Sequence, residues 1–321
     1  MSSPDNEATT PFFPAFFIVG VGRSGTTLAR AMITGHPLLT VPAETGFLPT
    51  LLRLRYIWWS QHGVRAGIFT KLAFANGRLA RAGLDRSELQ RSLTEHKPST
   101  PQGAISRIYE MCASGQPGER VGDKTPGYGE HVELLARYFP EAKFIHVVRH
   151  PLDVVASLLR QPWGPNDPLA AGHQWLRGVL AVSRARIPAQ KLMVVRLEEL
   201  TRSPSTVVAG MAQHLGVDTH EEMLNFNTRA DMIQNENVHP SSHIGLSRAL
   251  TSTHRWEQEL SEDDARRVWS LVRTTAEEFG YSGPDGQIPH VSSTVASMRF
   301  AYFNTSRSWR RLRTLARLIR A

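Results

Sequence analysis

Only one cysteine, Cys112, occurs in 321 residues, so no disulfide can form within the chain and a reducing compartment is favoured. No stretch is long and apolar enough to span a bilayer. The apolar run Phe12 to Val21 follows the acidic Asp5 and Glu7 rather than basic residues, and it leads into a glycine-rich turn. It reads as a first strand, not as a signal peptide. Histidine, cysteine, aspartate and glutamate nowhere fall at metal-ligand spacing, so no metal is expected. Internal repeats and low-complexity blocks are lacking too. Acids are missing from residues 299–321, where Arg299, Arg307, Arg310, Arg311, Arg313, Arg317 and Arg320 lie; subtracting these seven from the formal charge of +8 leaves about +1. Nucleic-acid binding is therefore not expected of the body of the chain. With 41% hydrophobic and 21% charged residues, that body has the composition of an ordinary globular protein.

One segment carries far more information than the composition. Residues Phe17 to Thr27 read Phe-Ile-Val-Gly-Val-Gly-Arg-Ser-Gly-Thr-Thr, an apolar strand, a glycine-rich turn and then the helical spacing of Leu28, Ala31 and Met32. Backbone N–H groups of such a turn and of the helix start converge on an anion, and the helix dipole adds partial positive charge. A phosphate-bearing ligand is the expectation; a tight strand-to-helix turn without a ligand is the plainer alternative. Gly20 and Gly25 have the spacing of a Walker motif, but Thr26 stands where that motif has lysine, and the cation lies inside the turn as Arg23. A nucleoside triphosphatase lacking that lysine would lose a principal contact to the transferred phosphoryl group.

A second strand pattern, Lys143 to Val148, runs into Arg149, His150 and Pro151, with Pro151 suited to the first position of a helix and Ser157 two turns along it. Arg149 then stands at the C-terminal edge of a strand, where open α/β sheets place ligands, and its planar fork suits a phosphate. A surface arginine paired with Asp153 fits the same residues equally well. Leu38 to Val41 reads as a short strand that delivers Glu44 to the same edge.

Together these segments resemble the sulfotransferases that use 3'-phosphoadenosine 5'-phosphosulfate (PAPS), above all the protein-tyrosine sulfotransferases and their bacterial relatives. The matching features are Arg23-Ser24-Gly25-Thr26-Thr27, Arg149 with Ser157, and the ungapped run from Arg23 through Arg30-Ala31-Met32 and His36-Pro37 to Glu44-Thr45. Asp123-Lys124-Thr125-Pro126, followed by Tyr138-Phe139-Pro140, adds a third. The resemblance covers about residues 15–160 and implies a role for each match. The loop Gly22 to Thr27 would hold the 5'-phosphosulfate, Arg149 and Ser157 the 3'-phosphate, Glu44 would be the catalytic base, and Lys124 and Arg23 would assist transfer. Arg255, beside Trp256, is a second candidate for the 3'-phosphate. Two departures matter. Gly46 replaces an arginine that helps the tyrosyl enzymes hold acidic peptides, and Leu197-Glu198-Glu199-Leu200 lacks the tyrosine usual before the glutamate.

The remaining pattern fits one elaborated domain. Phe47 to Cys112 has helical spacing, expected to cover or flank an acceptor pocket; Trp58 and Trp59 fit the lining of that pocket or the core, and at helical spacing core is the plainer reading. Leu192 to Val195 reads as a strand, Thr206 to Leu215 as a helix stopped by Gly216, and Ser261 with Asp264 as a capping box for a helix ending near Gly280. The stretch Asn235 to Thr253 is polar and irregular, and the resemblance implies that a loop closing over the nucleotide lies in this region. His146 alternates with apolar residues and reads as a buried, hydrogen-bonded core residue; His36 reads as structural.

These readings combine into an α/β protein with a P-loop-type parallel sheet flanked by helices, a helical insertion and a basic C-terminal helix. Residues 1–11 are expected to be disordered, 12–290 to form the domain, and 291–321 to form an amphipathic tail. That tail would lie on an anionic membrane surface or pack on its own domain or a second copy of the chain. The expected reaction is sulfuryl transfer from PAPS to a sugar, lipid, phenol or small natural product, in a cytoplasmic protein, leaving adenosine 3',5'-bisphosphate. A P-loop nucleotide kinase and a non-catalytic nucleotide-binding protein at the membrane remain as alternatives.

Overall fold

The computed structural model describes residues 14–229 and 254–304. Strand β1 (Phe16–Gly20) enters the glycine-rich turn and helix α1 (Thr26–Ile33), then comes the short β2 (Leu39–Thr40). The expected helical insertion follows as α2 (Leu48–Arg53), α3 (Arg55–Trp58), α4 (Ala66–Phe74), α5 (Arg78–Arg81), α6 (Arg86–His96) and α7 (Pro101–Glu110). A small antiparallel hairpin, β3 (Trp59–Ser60) with β4 (Gly63–Val64), interrupts it and was not foreseen. Then come β5 (Arg120–Lys124), α8 (Val132–Tyr138), β6 (Lys143–Val148), α9 (Pro151–Leu159), α10 (Pro168–Ser183), β7 (Leu192–Arg196), α11 (Leu197–Arg202) and α12 (Pro204–Leu215). Beyond residue 254 lie α13 (Trp256–Glu259), α14 (Glu262–Glu278) and a helix described over 293–304.

The main sheet is parallel throughout, in the order β2-β5-β1-β6-β7. All five residues of β1 are buried, as a central strand covered on both faces requires. Phe17 and Val19 face the insertion side with Tyr128, Phe139 and Phe144, and Phe17 stacks on Phe144 with ring centroids 5.3 Å apart. Phe16 and Ile18 face α1 and α12 on the other side. Burying a phenyl ring in this way stabilises the fold by roughly 2–3 kcal/mol. Trp58 is fully buried and donates its indole N–H to Leu51 O at 2.8 Å, so the core reading of that residue holds.

Local signals set the helix ends. Asp85, Thr100, Asp167 and Ser261 each accept a first-turn backbone N–H, and proline opens α7 and α10 immediately after its cap. Gly216 closes α12 in the left-handed region at φ 74°. His146 departs from expectation. It is buried, yet neither ring nitrogen has a hydrogen-bond partner among the described residues; the ring projects from the sheet toward the apolar ring of Phe279, centroids 6.3 Å apart. The tail reading is described only in part: Ala296 and Phe300 are buried, Phe300 lies against His173 and Arg177, and Arg299 pairs with Asp167. Residues 1–13, the loop reading for Asn235 to Thr253, and the tail beyond Asn304 lie outside the described residues. No helix of the described residues is long and apolar enough to cross a membrane.

Candidate active site

The C-terminal ends of β1, β5 and β6 meet at one edge of the sheet, and each of the three segments picked out from the sequence arrives there. After β1 the chain turns tightly, with the Ser24 N–H donating to Val21 O at 3.1 Å. Arg23 takes a left-handed conformation at φ 76°, which costs a non-glycine residue about 1 kcal/mol. Gly25 is left-handed as well, at φ 93°, and a Cβ there would come within 2.5 Å of Leu197 Cδ1, so only glycine fits. Leu197, at the start of α11, thus underlies the loop at the place where the departure from the tyrosine pattern was noted. Helix α1 begins at Thr26 with no side-chain cap. Its first amides, at Thr26 and Thr27, have no capping oxygen to compete with an anion. The Ser24 hydroxyl is buried beside them without a hydrogen-bond partner among the described residues.

Arg23, Arg149 and Ser157 form one cluster. Arg23 Nε donates to Ser157 Oγ at 3.0 Å, and Arg149 Nη1 donates to Arg23 O at 3.3 Å. Arg149 pairs with Asp153 at 3.6 Å as one of its two readings expected, but it is buried rather than on the surface, beside the turn. Asp153 in turn accepts the backbone N–H groups of His254 and Trp256, each at 3.1 Å, which fixes the chain where the described residues resume. Burial, then the nearby Arg149 and Arg160, hold the Arg23 guanidinium below its ordinary pKa. A phosphate between these cations would offset their repulsion. Arg255 lies in this neighbourhood but is exposed and paired with Glu259 at 2.8 Å; Glu259 also holds Arg160.

The other half of the site is the ion pair of Glu44 with Lys124, 2.8 Å long, formed across 80 residues of sequence. Lys124 ends β5 with its side chain only 1% exposed, whereas that of Glu44 is 28% exposed. The preceding Asp123 is fully buried and anchors the Glu44 loop: it accepts the hydroxyls of Thr45 at 2.6 Å, Tyr109 at 2.7 Å and Thr125 at 2.9 Å. Tyr128 then donates to Thr45 Oγ1 at 3.0 Å and accepts the Leu48 N–H at 3.1 Å. Burial alone would raise the Glu44 pKa; Lys124, by charge and hydrogen bond, then Arg78 and Arg30, outweigh it and hold the carboxyl below its usual range. Burial pulls the Lys124 ammonium down, and Glu44 opposes that. Glu44 is therefore an ionised carboxylate at neutral pH, fixed beside a buried cation at the same edge as the loop.

Two contributors escaped the sequence reading. Arg78, at the start of α5, reaches Glu44 Oε2 at 3.2 Å, and nothing in its local pattern marks it. Trp163 lies against Gly22, its ring 3.5 Å from where a Cβ would be. Among the described residues no cluster of three histidine, cysteine, aspartate or glutamate side chains could hold a metal ion.

A parallel sheet flanked by helices, with a glycine-rich turn between its central strand and the first helix, defines an α/β protein of the P-loop-like class. The sulfotransferase-family model matches residues 14–221, and the chain belongs to that family. Protein-tyrosine sulfotransferase 1 of Danio rerio is 31% identical over 156 residues, which are 47% of this chain and 38% of that protein. Its Homo sapiens counterpart is 31% identical over 146 residues, 46% of this chain and 34% of that protein. The chain thus matches only about a third of the length of these relatives. Nodulation protein NoeE of Sinorhizobium fredii is 26% identical over 294 residues, 80% of this chain and 63% of that protein. Two solved structures share the fold. The sulfotransferase domain of the Synechococcus PCC 7002 olefin synthase has a TM-score of 0.52 at 23% identity, over 88% of this chain and 100% of that one. The sulfotransferase domain of the curacin biosynthetic pathway has 0.54 at 18%, over 86% and 100%.

Proposed function

We propose that this protein moves a sulfuryl group from PAPS to an acceptor hydroxyl on a sugar, lipid, phenol or small natural product. The observation that carries the reading is the placement of two unlike devices on one sheet edge: a cradle of amides, Ser24, Arg23, Arg149 and Ser157, and an ionised Glu44 paired with buried Lys124. The cradle suits a nucleotide with phosphates at both the 5' and 3' positions. The loop and the α1 amides would hold the 5'-phosphosulfate, while Arg149 and Ser157 would take the 3'-phosphate.

In the reaction the acceptor oxygen attacks sulfur in line, the bond from sulfur to the bridging phosphate oxygen breaks, and Glu44 takes the hydroxyl proton. The products are a sulfate ester and adenosine 3',5'-bisphosphate. Lys124, Arg23 and the amides of Thr26 and Thr27 stabilise charge developing on the transferred group and on the leaving phosphate. These cations supply the positive charge that a phosphoryl-transfer site takes from magnesium, so the reaction as written uses no metal. Membership of the sulfotransferase family favours this reading over a nucleotide kinase. Beyond Asn304 the arginine-rich tail fits peripheral attachment to an anionic cytoplasmic membrane face, and the helix over 293–304 leaves Val295, Met298 and Tyr302 exposed as an apolar face for a membrane or a second copy of the chain.

The test is thermal melting with adenosine 3',5'-bisphosphate, AMP, or ATP plus Mg²⁺ at matched concentrations. The bisphosphate should raise the melting temperature most. Arg149→Ala should weaken bisphosphate binding by about 2–4 kcal/mol and leave AMP nearly unchanged. Stabilisation by ATP plus Mg²⁺ alone would overturn the reading, and equal losses for bisphosphate and AMP would remove Arg149 from the 3'-phosphate.

A further inference from the structure

The acceptor side of the site holds more positive charge than the chemistry requires. Around the single Glu44 carboxylate stand buried Lys124, buried Arg30, whose Nε donates to Val41 O at 2.9 Å, and Arg78. Lys124 belongs to the transferring group and Arg30 is built into the wall. Arg78 differs: its side chain is 39% exposed, and among the described residues Glu44 is its only ion-pair partner. Its backbone, by contrast, is fixed. Asn76 Oδ1 accepts the Arg78 N–H at 2.8 Å while Asn76 Nδ2 donates to Thr45 O at 3.1 Å, tying the start of α5 to the residue that follows Glu44.

The guanidinium passes over Gly46. That residue is left-handed at φ 62°, and a Cβ there would lie 3.0 Å from Arg78 Nη1 and 3.1 Å from Arg78 Cδ. A side chain at position 46 would exclude Arg78 from its present place. The bare glycine and the arginine from 32 residues further along are thus two parts of one arrangement, in which a cation from the helical insertion fills the mouth beside the base.

We propose that Arg78 selects the acceptor: it leaves Glu44 to grip an anionic substituent, so the substrates are hydroxyl compounds carrying a carboxylate, phosphate or sulfate close to the reacting hydroxyl. The proposal rests on the sulfotransferase reading above. Its geometry gives the exchange a purpose. While Arg78 rests on Glu44 the carboxylate has two cationic partners and is a poor base. An acceptor that draws Arg78 away removes one of them, and Glu44 becomes more basic when the hydroxyl is in place. A neutral acceptor leaves Glu44 doubly paired. The fork of a guanidinium also suits a planar carboxylate or a tetrahedral oxyanion, with two donors available to either.

The test uses the full chain saturated with adenosine 3',5'-bisphosphate, with benzoate and benzamide as probes of equal shape and different charge, titrated by ligand-observed NMR. Wild-type protein should bind benzoate about tenfold more tightly than benzamide, and Arg78→Gln should reduce that preference to roughly twofold or less. Arg78→Lys should keep an intermediate preference. Glu44→Gln removes the resting partner and should tighten benzoate severalfold, a gain that disappears when Arg78→Gln is added. A benzoate preference that survives Arg78→Gln, or no preference in the wild type, overturns the assignment of Arg78 alone. Failure of the bisphosphate to bind overturns the sulfotransferase reading and this proposal with it.

Discussion

The two partners of the Glu44–Lys124 ion pair differ in burial, so removing one is not equivalent to removing the other. At 2.8 Å and an effective dielectric of about 20, their gross attraction is roughly 6 kcal/mol, most of it offset by desolvation. Glu44→Gln leaves an ammonium with a 1% exposed side chain facing Arg30 and Arg78, and should destabilise the protein by about 3 kcal/mol. Lys124→Met leaves a carboxylate that is 28% exposed and still paired with Arg78, so its cost should be lower, about 1–2 kcal/mol. The double variant removes both charges and should be more stable than the summed single effects by at least about 2 kcal/mol. Urea unfolding of the four proteins without nucleotide measures the cycle. The Glu44→Gln penalty should also shrink as pH rises from 7 toward the ordinary lysine range. A lysine whose folded pKa is depressed releases its proton before the unfolded chain does, so the unfolded state binds more protons there and stability rises with pH. Turnover of Glu44→Gln should fall on the order of 100-fold through loss of the base. Additive single effects, or a larger cost for Lys124→Met, would refute the claim that Lys124 is the buried partner held in place by Glu44.

Two further expectations follow from particular residues. Burial pushes the His146 imidazole, which has no hydrogen-bond partner among the described residues, down to about 4 from 6.5, so the unfolded state binds more protons between those values and the protein loses up to about 3 kcal/mol as pH falls through that window. His146→Leu should be at least as stable as wild type at pH 7 and should lack that acid loss; equal losses in both proteins, read from urea midpoints at pH 7 and 4.5, would show the histidine is not responsible. Truncation after Asn304 deletes Arg307, Arg310, Arg311, Arg313, Arg317 and Arg320 but spares the buried Ala296 and Phe300. At up to about 1 kcal/mol per arginine, low-salt sedimentation with anionic vesicles should be lost on truncation with the melting temperature unchanged; full-length protein that ignores such vesicles would rule out the membrane role.

The sequence by itself determined whatever depends on neighbours a few residues apart. A buried central strand needs an unbroken apolar run, as in Phe16 to Gly20; the turn needs glycine at position 25; and a helix start needs an oxygen three residues upstream, which Ser261 supplies to Asp264. Those constraints were legible from spacing, and with the family resemblance they also named the loop, Glu44, Lys124 and Arg149. Contacts formed across long sequence separations were decided by the tertiary structure alone. Arg23 meets Ser157 across 134 residues, Arg78 meets Glu44 across 34, and Asp123 collects hydroxyls from Thr45, Tyr109 and Thr125. No periodicity encodes such meetings, because they depend on which strands become neighbours and which helix covers them. For the same reason the sequence could not show that His146 is buried with no partner among the described residues, or that Arg149 holds Asp153 and the loop at once. The first depends on what packs against that face of β6, where Phe279 lies, and the second on strand order, which sets the C-terminal end of β6 beside the turn.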